Sequence, residues 1–145
     1  MIFCPDRKRY KNVPNILLCG TSLKKVDKFK YLGHWITEDM KDNLDIERER
    51  RSLSVRCNML ARRFAKCTEH VKLTLFKAYC QSFYTCSLWV DYTQRTYRDL
   101  RVQYNNAFRM LMGLPRYCSA SGMFADFESA APPYCGECVT ALTGS

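Results

Sequence analysis

The chain lacks any uninterrupted apolar stretch approaching the roughly 20 residues that a membrane-spanning helix requires. Its N-terminus also lacks the succession of charged, apolar and small residues that forms a secretory signal. The first absence argues against a membrane protein, and the second argues against secretion. We therefore expect a soluble, intracellular protein, in the nucleus or the cytoplasm, with no membrane partner.

Patterns of catalytic residues are scarce as well. The two histidines, His34 and His70, have no serine, cysteine or aspartate partner at the spacing of a catalytic triad. No glycine-rich loop of the kind that holds nucleotide phosphates is present. Hydrolase and nucleotide-cofactor functions are therefore disfavoured, and no catalytic residue or bound cofactor is predicted in this chain.

Cysteines are numerous but do not form a recognisable framework. There are nine, an odd number with irregular spacing, whereas small secreted proteins with disulfide frameworks have even counts in shorter chains. Most are expected to be reduced and buried. Cys135 and Cys138 have the spacing of half a zinc site, but a tetrahedral site needs two further ligands. No metal site is predicted, and this pair is interpreted as incidental.

The most prominent bulk property is a net charge of +9 on 145 residues, of which 47% are hydrophobic. This length suits one domain with its own core. An excess of Lys and Arg neutralises phosphates and releases counterions, so nucleic acid is the leading candidate partner. The alternative is a solvated basic surface without a partner.

Residues 1–40 have the character of a β ribbon. Ile16 to Cys19 form a short apolar run, residues 20–22 are turn-like, and segments 23–26 and 29–36 are predicted to be returning strands. Alternation places Phe29 and Tyr31 on one face. Gly33 permits either a bend or a close backbone approach.

Residues 41–118 are predicted to be helical. The first helix begins at Asp42 or Asn43. Its apolar stripe consists of Ile46, Leu53, Cys57, Leu60 and Phe64. A basic ridge on the opposite side consists of Arg48, Arg51, Arg62 and Lys66. Because the ridge faces away from the core, it is a candidate phosphate-binding surface.

Two further helices are predicted, from Thr68 to about Trp89 and from about Thr93 to Met112, where Gly113 and Pro115 end the helix. Residues 119–145 lack sustained periodicity and are expected to be a disordered tail. The predicted fold class is α+β: a short N-terminal antiparallel ribbon, about three packed helices and this tail.

Several segments occur in an order that resembles one protein family. They are FKYLGHWITED, DIERERR, NMLARRF, KLTLFKAYCQSFYTCSLW and YNNAFRMLMGLPRYCSASGMF. Together they resemble the C-terminal part of the reverse transcriptase of non-LTR, LINE-like retrotransposons. The resemblance covers about residues 1 to 124 and is collinear.

This resemblance implies a function in RNA-directed DNA synthesis. Residues Phe29, Lys30, Tyr31, Leu32 and Gly33 are similar to the end of the palm, which holds the primer end. The helices are similar to the thumb, which grips the template and primer duplex. The implied partners are an RNA/DNA hybrid or RNA, and the rest of the polymerase.

The resemblance also implies what this chain does not supply. The carboxylates that hold Mg²⁺ lie in the palm, upstream of the part resembled, so the chain alone is expected to extend no primer. Phe124 to Phe127 imitate the family's metal motif but have Phe127 in place of its second aspartate. Two alternatives stay open: a noncatalytic helical module that binds RNA or protein, and a degenerate transposon remnant.

Overall fold

The computed structural model describes residues 1–3, 13–83 and 85–127. The predicted α+β class is confirmed: antiparallel strands come first and packed helices follow. The strands are β1 (Leu17–Leu18), β2 (Thr21–Ser22), β3 (Lys28–Tyr31) and β4 (His34–Thr37). The helices are α1 (Asn43–Arg63), α2 (Glu69–Phe76), α3 (Gln94–Met112) and α4 (Ala120–Asp126). The expectation of disorder at residues 128–145 lies outside the described residues.

The strands form two separate hairpins, β1 with β2 and β3 with β4, instead of the single ribbon that was expected. Each hairpin closes through two residues at positive φ, Cys19–Gly20 and Leu32–Gly33, as in type I′ turns. The first turn is therefore shorter than predicted, and residues 23–26 form no strand. Segment 29–36, predicted to be one strand, is divided by the second turn into β3 and β4. A Cβ on Gly33 would meet no atom within 4 Å, so its φ of 87° explains the glycine and a close backbone approach does not.

Helices α1 and α3 form the main helix pair. Leu53 and Leu60 of α1 and Leu100, Tyr104 and Phe108 of α3 are buried. The Thr93 hydroxyl caps α3 by accepting from the Thr96 backbone N–H, and Gly113 ends that helix at a φ of 71°. Periodicity and capping residues therefore locate both long helices correctly.

The second predicted helix is wrong beyond its first turns. Helix α2 ends at Phe76, a π-helical turn follows over Lys77–Gln81, and Ser82 has extended backbone. A short 3₁₀ turn, Cys86–Leu88, precedes Trp89. This change of path buries the side chains of Phe76, Cys80, Phe83 and Trp89. In an unbroken helix residues 76, 80 and 83 would share one face, but residue 89 would lie on the opposite face. The change of path therefore brings Trp89 into the same core as the other three side chains.

Residues 119–127 also differ from the predicted tail, because they form α4 and close the core. The Ser119 hydroxyl accepts from the Gly122 backbone N–H at 3.1 Å. Met123 is buried, and the rings of Phe124 and Phe127 lie 5.2 and 5.6 Å from the ring of Phe108. The helical unit therefore extends past the boundary predicted at residue 118. Among the described helices, none is long and apolar enough to cross a membrane.

Candidate nucleic-acid interface

The β3–β4 hairpin presents aromatic side chains to solvent. Phe29 is 51% exposed and Tyr31 is 57% exposed, and their rings stack with centroids 6.5 Å apart. Leu32 at the tip is 77% exposed and has a φ of 47°, a strained conformation for a residue with a bulky side chain. Aromatic rings on a short strand can stack on bases or sugars without rearranging the core.

Lysines occupy the other face of β3. Lys28 and Lys30 alternate with the two aromatic residues, so the strand presents rings on one face and ammonium groups on the other. Lys30 pairs across the hairpin with Trp35, and the Lys28 Nζ lies 5.5 Å from the centroid of the Trp35 ring. This cation–π contact holds one lysine against the hairpin. Lys30 is exposed.

The hairpin is attached to α1 through Asp45, whose side chain is completely buried. Its carboxylate accepts from the Trp35 backbone N–H at 3.1 Å and from Arg48 Nε at 2.8 Å. It also accepts from the Thr85 hydroxyl and from Trp89 Nε1, each at 2.9 Å. Burial alone would raise the pKa of this carboxyl, but the donors, Arg48 foremost, outweigh it and lower the pKa to about 2. Asp45 is therefore a charged anchor for β4, α1 and the segment before α3.

Asp42 reinforces the same junction. It stands at the N-cap of α1, as predicted, but its side chain accepts from the Val90 and Asp91 backbone N–H groups at 2.7 and 3.0 Å instead of capping the helix. His34 Nδ1 lies 3.0 Å from Asp45 Oδ2 without an aligned hydrogen bond, and its Nε2 lies 3.6 Å from Asp42 Oδ1. Two acids from one helical turn thus hold the segment before α3 against the start of α1, and Asp45 also holds the hairpin there.

Arg48 does not belong to the predicted basic ridge. Its guanidinium is drawn into the junction, where Nε lies 2.8 Å from Asp45 Oδ1 and Nη1 lies 3.0 Å from Glu49 Oε2. Glu49 is also buried and pairs with Arg56 Nη2 at 2.7 Å. The prediction failed because the buried sector of α1 is wider than its apolar stripe at the end where the hairpin packs. Arg48 faces two buried carboxylates and is already paired.

The other three members of the ridge are exposed. The Arg51 side chain is 75% exposed and lies 3.0 Å from Glu47, which also binds Arg50 through two hydrogen bonds. The Arg50 guanidinium, with help from Arg51, lowers the pKa of Glu47 to about 2. Arg62 and Lys66, at the other end of α1 and just beyond it, make no ion pair within the described part of the chain. The ridge is therefore reduced to Arg51, Arg62 and Lys66.

The buried charges were missed in the sequence, although a signal for them exists. Asp45, Glu49 and Arg56 follow one another at i, i+4 and i+11, a single helical row directly beside the apolar stripe. Charged residues of both signs on such a row indicate paired burial as well as a solvated face. No sequence feature indicated that Thr85 and Trp89 would complete the site from elsewhere in the chain.

No group of three or more His, Cys, Asp or Glu side chains that could hold a metal ion occurs in residues 1–3, 13–83 and 85–127. Cys135 and Cys138 lie outside these residues. Of the residues similar to the metal motif, Asp126 is the last residue of α4. Comparison with protein-family models, with curated proteins and with solved structures found no match to this chain.

Proposed function

We propose that this chain is the palm-end and thumb-like part of a reverse transcriptase similar to those of non-LTR retrotransposons, and that it binds a template and primer duplex. One observation carries the proposal: a hairpin with two exposed, stacked aromatic rings is fixed by a buried carboxylate to the start of a helix whose outer face is basic. The order of sequence segments that resembles the family supports the same function.

The hairpin acts as the primer-holding element in this proposal. Phe29 and Tyr31 supply ring faces for the terminal sugar and base, and Lys30 supplies a charge for a nearby phosphate. Because Asp45 ties the backbone of Trp35 to α1, the rings keep a fixed position relative to the helix. A fixed position is what catalysis in an adjoining palm requires of a primer end.

Helix α1 and the turn after it supply the duplex grip. Arg51 and Arg62 are 11 residues apart in the sequence, and at a helical rise of about 1.5 Å per residue they stand roughly 16 Å apart along the axis. That distance corresponds to about five base-pair steps of a duplex. The two guanidinium groups therefore reach different phosphates, and their contacts are insensitive to base sequence.

The test is the salt dependence of binding to an RNA/DNA hybrid for Arg51→Ala and Arg62→Ala. We expect each change to weaken binding about equally on hybrids of different sequence and to lower the slope of log K against log salt by roughly 1. Arg98→Ala, which removes an exposed guanidinium from α3, is the matched control and should leave the slope unchanged.

An unchanged slope in both α1 variants, with the helical circular dichroism spectrum intact, would contradict the duplex grip. A substitution at Glu47 provides a second check on Arg51, because Glu47 already pairs with Arg51. Glu47→Gln should strengthen hybrid binding if Arg51 contacts phosphate, since the competing carboxylate is removed.

A further inference from the structure

A groove of about 460 Å³ lies between α1 and α3, and the proposed duplex grip does not use it. Ser54 and Asn58 line its α1 side, Gln103 and Asn106 line its α3 side, and Arg116 lies at the end of the groove beyond α3. Its size falls in the range of about 300–1,000 Å³ that is usual for small-ligand sites.

The lining is rich in hydrogen-bonding groups. Besides the apolar side chains of Ala107, Met110 and Leu114, it contains three side-chain amides, a hydroxyl and two guanidinium groups, and no acidic residue is among the residues that line it. Each amide presents both a donor and an acceptor, as the edges of unpaired bases do. The side chains of Ser54, Asn58, Gln103 and Arg116 form no hydrogen bond or ion pair within residues 1–3, 13–83 and 85–127. The groove therefore combines available polar groups with an uncompensated positive charge.

Arg109 organises this lining. Its Nε and Nη2 donate to the Cys118 backbone carbonyl at 3.1 and 2.8 Å, and this contact holds the segment after α3 in place. Its Nη1 donates to Asn106 Oδ1 at 3.1 Å. Oδ1 of Asn106 accepts this bond, and Nδ2 makes no hydrogen bond among the described residues, so Nδ2 is available to a ligand. Arg109 is accordingly a positioning residue, whereas Arg116 is exposed and available for a phosphate.

The groove adjoins the basic residues of α1. Arg51, Ser54, Asn58 and Arg62 stand at i, i+3, i+7 and i+11, so they follow one helical row. A strand whose phosphates contact Arg51 or Arg62 therefore passes the mouth of the groove. The groove is lined by side chains of α1, of α3 and of the segment after α3, and it is too small for a double helix.

We propose that this groove binds an unpaired segment of RNA or DNA, with bases on the amides of Asn58, Gln103 and Asn106 and a phosphate on Arg116. The part of the proposal that makes this segment continuous with a duplex on α1 rests on the proposed function. The chemistry of the groove itself does not depend on it.

The experiment measures binding of two labelled probes, a short oligouridine and a blunt-ended RNA/DNA hybrid, to the full chain. We expect Gln103→Leu to lower the affinity for oligouridine about tenfold, the upper end of what one lost hydrogen bond contributes. Arg116→Ala should lower the slope of log K against log salt for oligouridine by about 0.7. Both variants should bind the hybrid as the parent does.

Two matched variants control for general effects of these substitutions. Gln94→Leu changes the same residue type at the start of α3, and Arg98→Ala removes the same charge elsewhere on α3. Both should bind oligouridine as the parent chain does. Because Arg116 is exposed, its substitution tests the groove even if Gln103→Leu disturbs the fold.

The two probes distinguish failure of the groove proposal from failure of the proposed function. If the parent binds oligouridine and the two groove variants do not weaken it, or if the parent binds only the hybrid, the groove proposal is overturned and the duplex grip is unaffected. If the groove variants lose oligouridine and the parent fails to bind the hybrid, the groove proposal stands and the proposed function falls. Binding of neither probe overturns both.

Discussion

The helical unit and the N-terminal hairpins use apolar residues in opposite ways. In the helical unit, Phe76, Tyr104 and Phe108 are fully buried and pack edge to face, with ring centroids 5.1 to 5.2 Å apart. In the hairpins, every residue of β1, β2 and β3 is exposed, including Leu17, Leu18 and Phe29. The first region stabilises the chain by burial, and the second leaves apolar surface available for contact.

The junction between these regions is polar. Asp45 binds the hairpin backbone, an arginine, a hydroxyl and an indole N–H within one buried site. A polar junction fixes direction as well as position, because each hydrogen bond has a preferred angle. The hairpin can therefore remain exposed and still keep a defined orientation. Substitutions in the core, at the junction and in the hairpin should therefore differ in their effects on stability and on binding.

The largest effect is expected where a buried ring is removed. Phe108→Ala should lower the free energy of unfolding by about 3–5 kcal/mol, because the large cavity cannot collapse among the rings of Phe76, Phe124 and Phe127. Phe29→Ala is the comparison and should change it by less than about 0.5 kcal/mol. Chemical denaturation followed by circular dichroism measures both. Equal losses would show that the hairpin shares the core.

An intermediate effect is expected at the junction. Asp45 has a folded pKa of about 2 and an ordinary value of 3.8, so its contribution to stability is present above pH 3.8 and is lost as the pH falls through about 2. A shift of this size corresponds to about 2 kcal/mol. Asp45→Asn should therefore lower stability at neutral pH by about that amount and reduce the acid dependence of unfolding between these pH values.

The control for this prediction is Glu47→Gln. The pKa of Glu47 is also about 2, but its side chain is 31% exposed and bound to surface arginines, so solvent screens its interactions. The acid dependence should change less in this variant than in Asp45→Asn. A larger change in Glu47→Gln would locate the important carboxylate on the surface of α1 instead of at the junction.

The parts of the fold that depend on local patterns could be predicted from the sequence. The apolar stripe of α1 and its predicted start at Asp42 or Asn43 located the first helix, and Gly113 located the end of α3. The turn at Leu32–Gly33 was not predicted, because segment 29–36 was expected to be one strand in which Gly33 permits a bend or a close approach. The break after Phe76 could not be predicted, because every residue from Lys77 to Gln81 is compatible with an ordinary helix and only the burial of Trp89 against Phe83 requires another path.

The same limit applied to the candidate site. Alternation predicted that Phe29 and Tyr31 share a face of β3, but not that the two rings are exposed. Helical spacing predicted three members of the basic ridge. It misplaced Arg48, because the orientation of Arg48 depends on two carboxylates whose burial is set by the packing of a distant hairpin. Helix α4 was missed because seven residues are too few for a periodic pattern, and its packing on Phe108 stabilises it.

The central claim is that the hairpin binds nucleic acid and contributes little to stability, and Tyr31→Ala tests it most directly. Tyr79→Ala is the matched control, since Tyr79 is 55% exposed and Tyr31 is 57% exposed. For Tyr31→Ala we expect about a tenfold loss of affinity for an RNA/DNA hybrid, within the range for one stacked base, and an unchanged unfolding midpoint. Hybrid affinity equal to that of Tyr79→Ala and of the parent chain, or a lowered midpoint in Tyr31→Ala alone, would contradict the account.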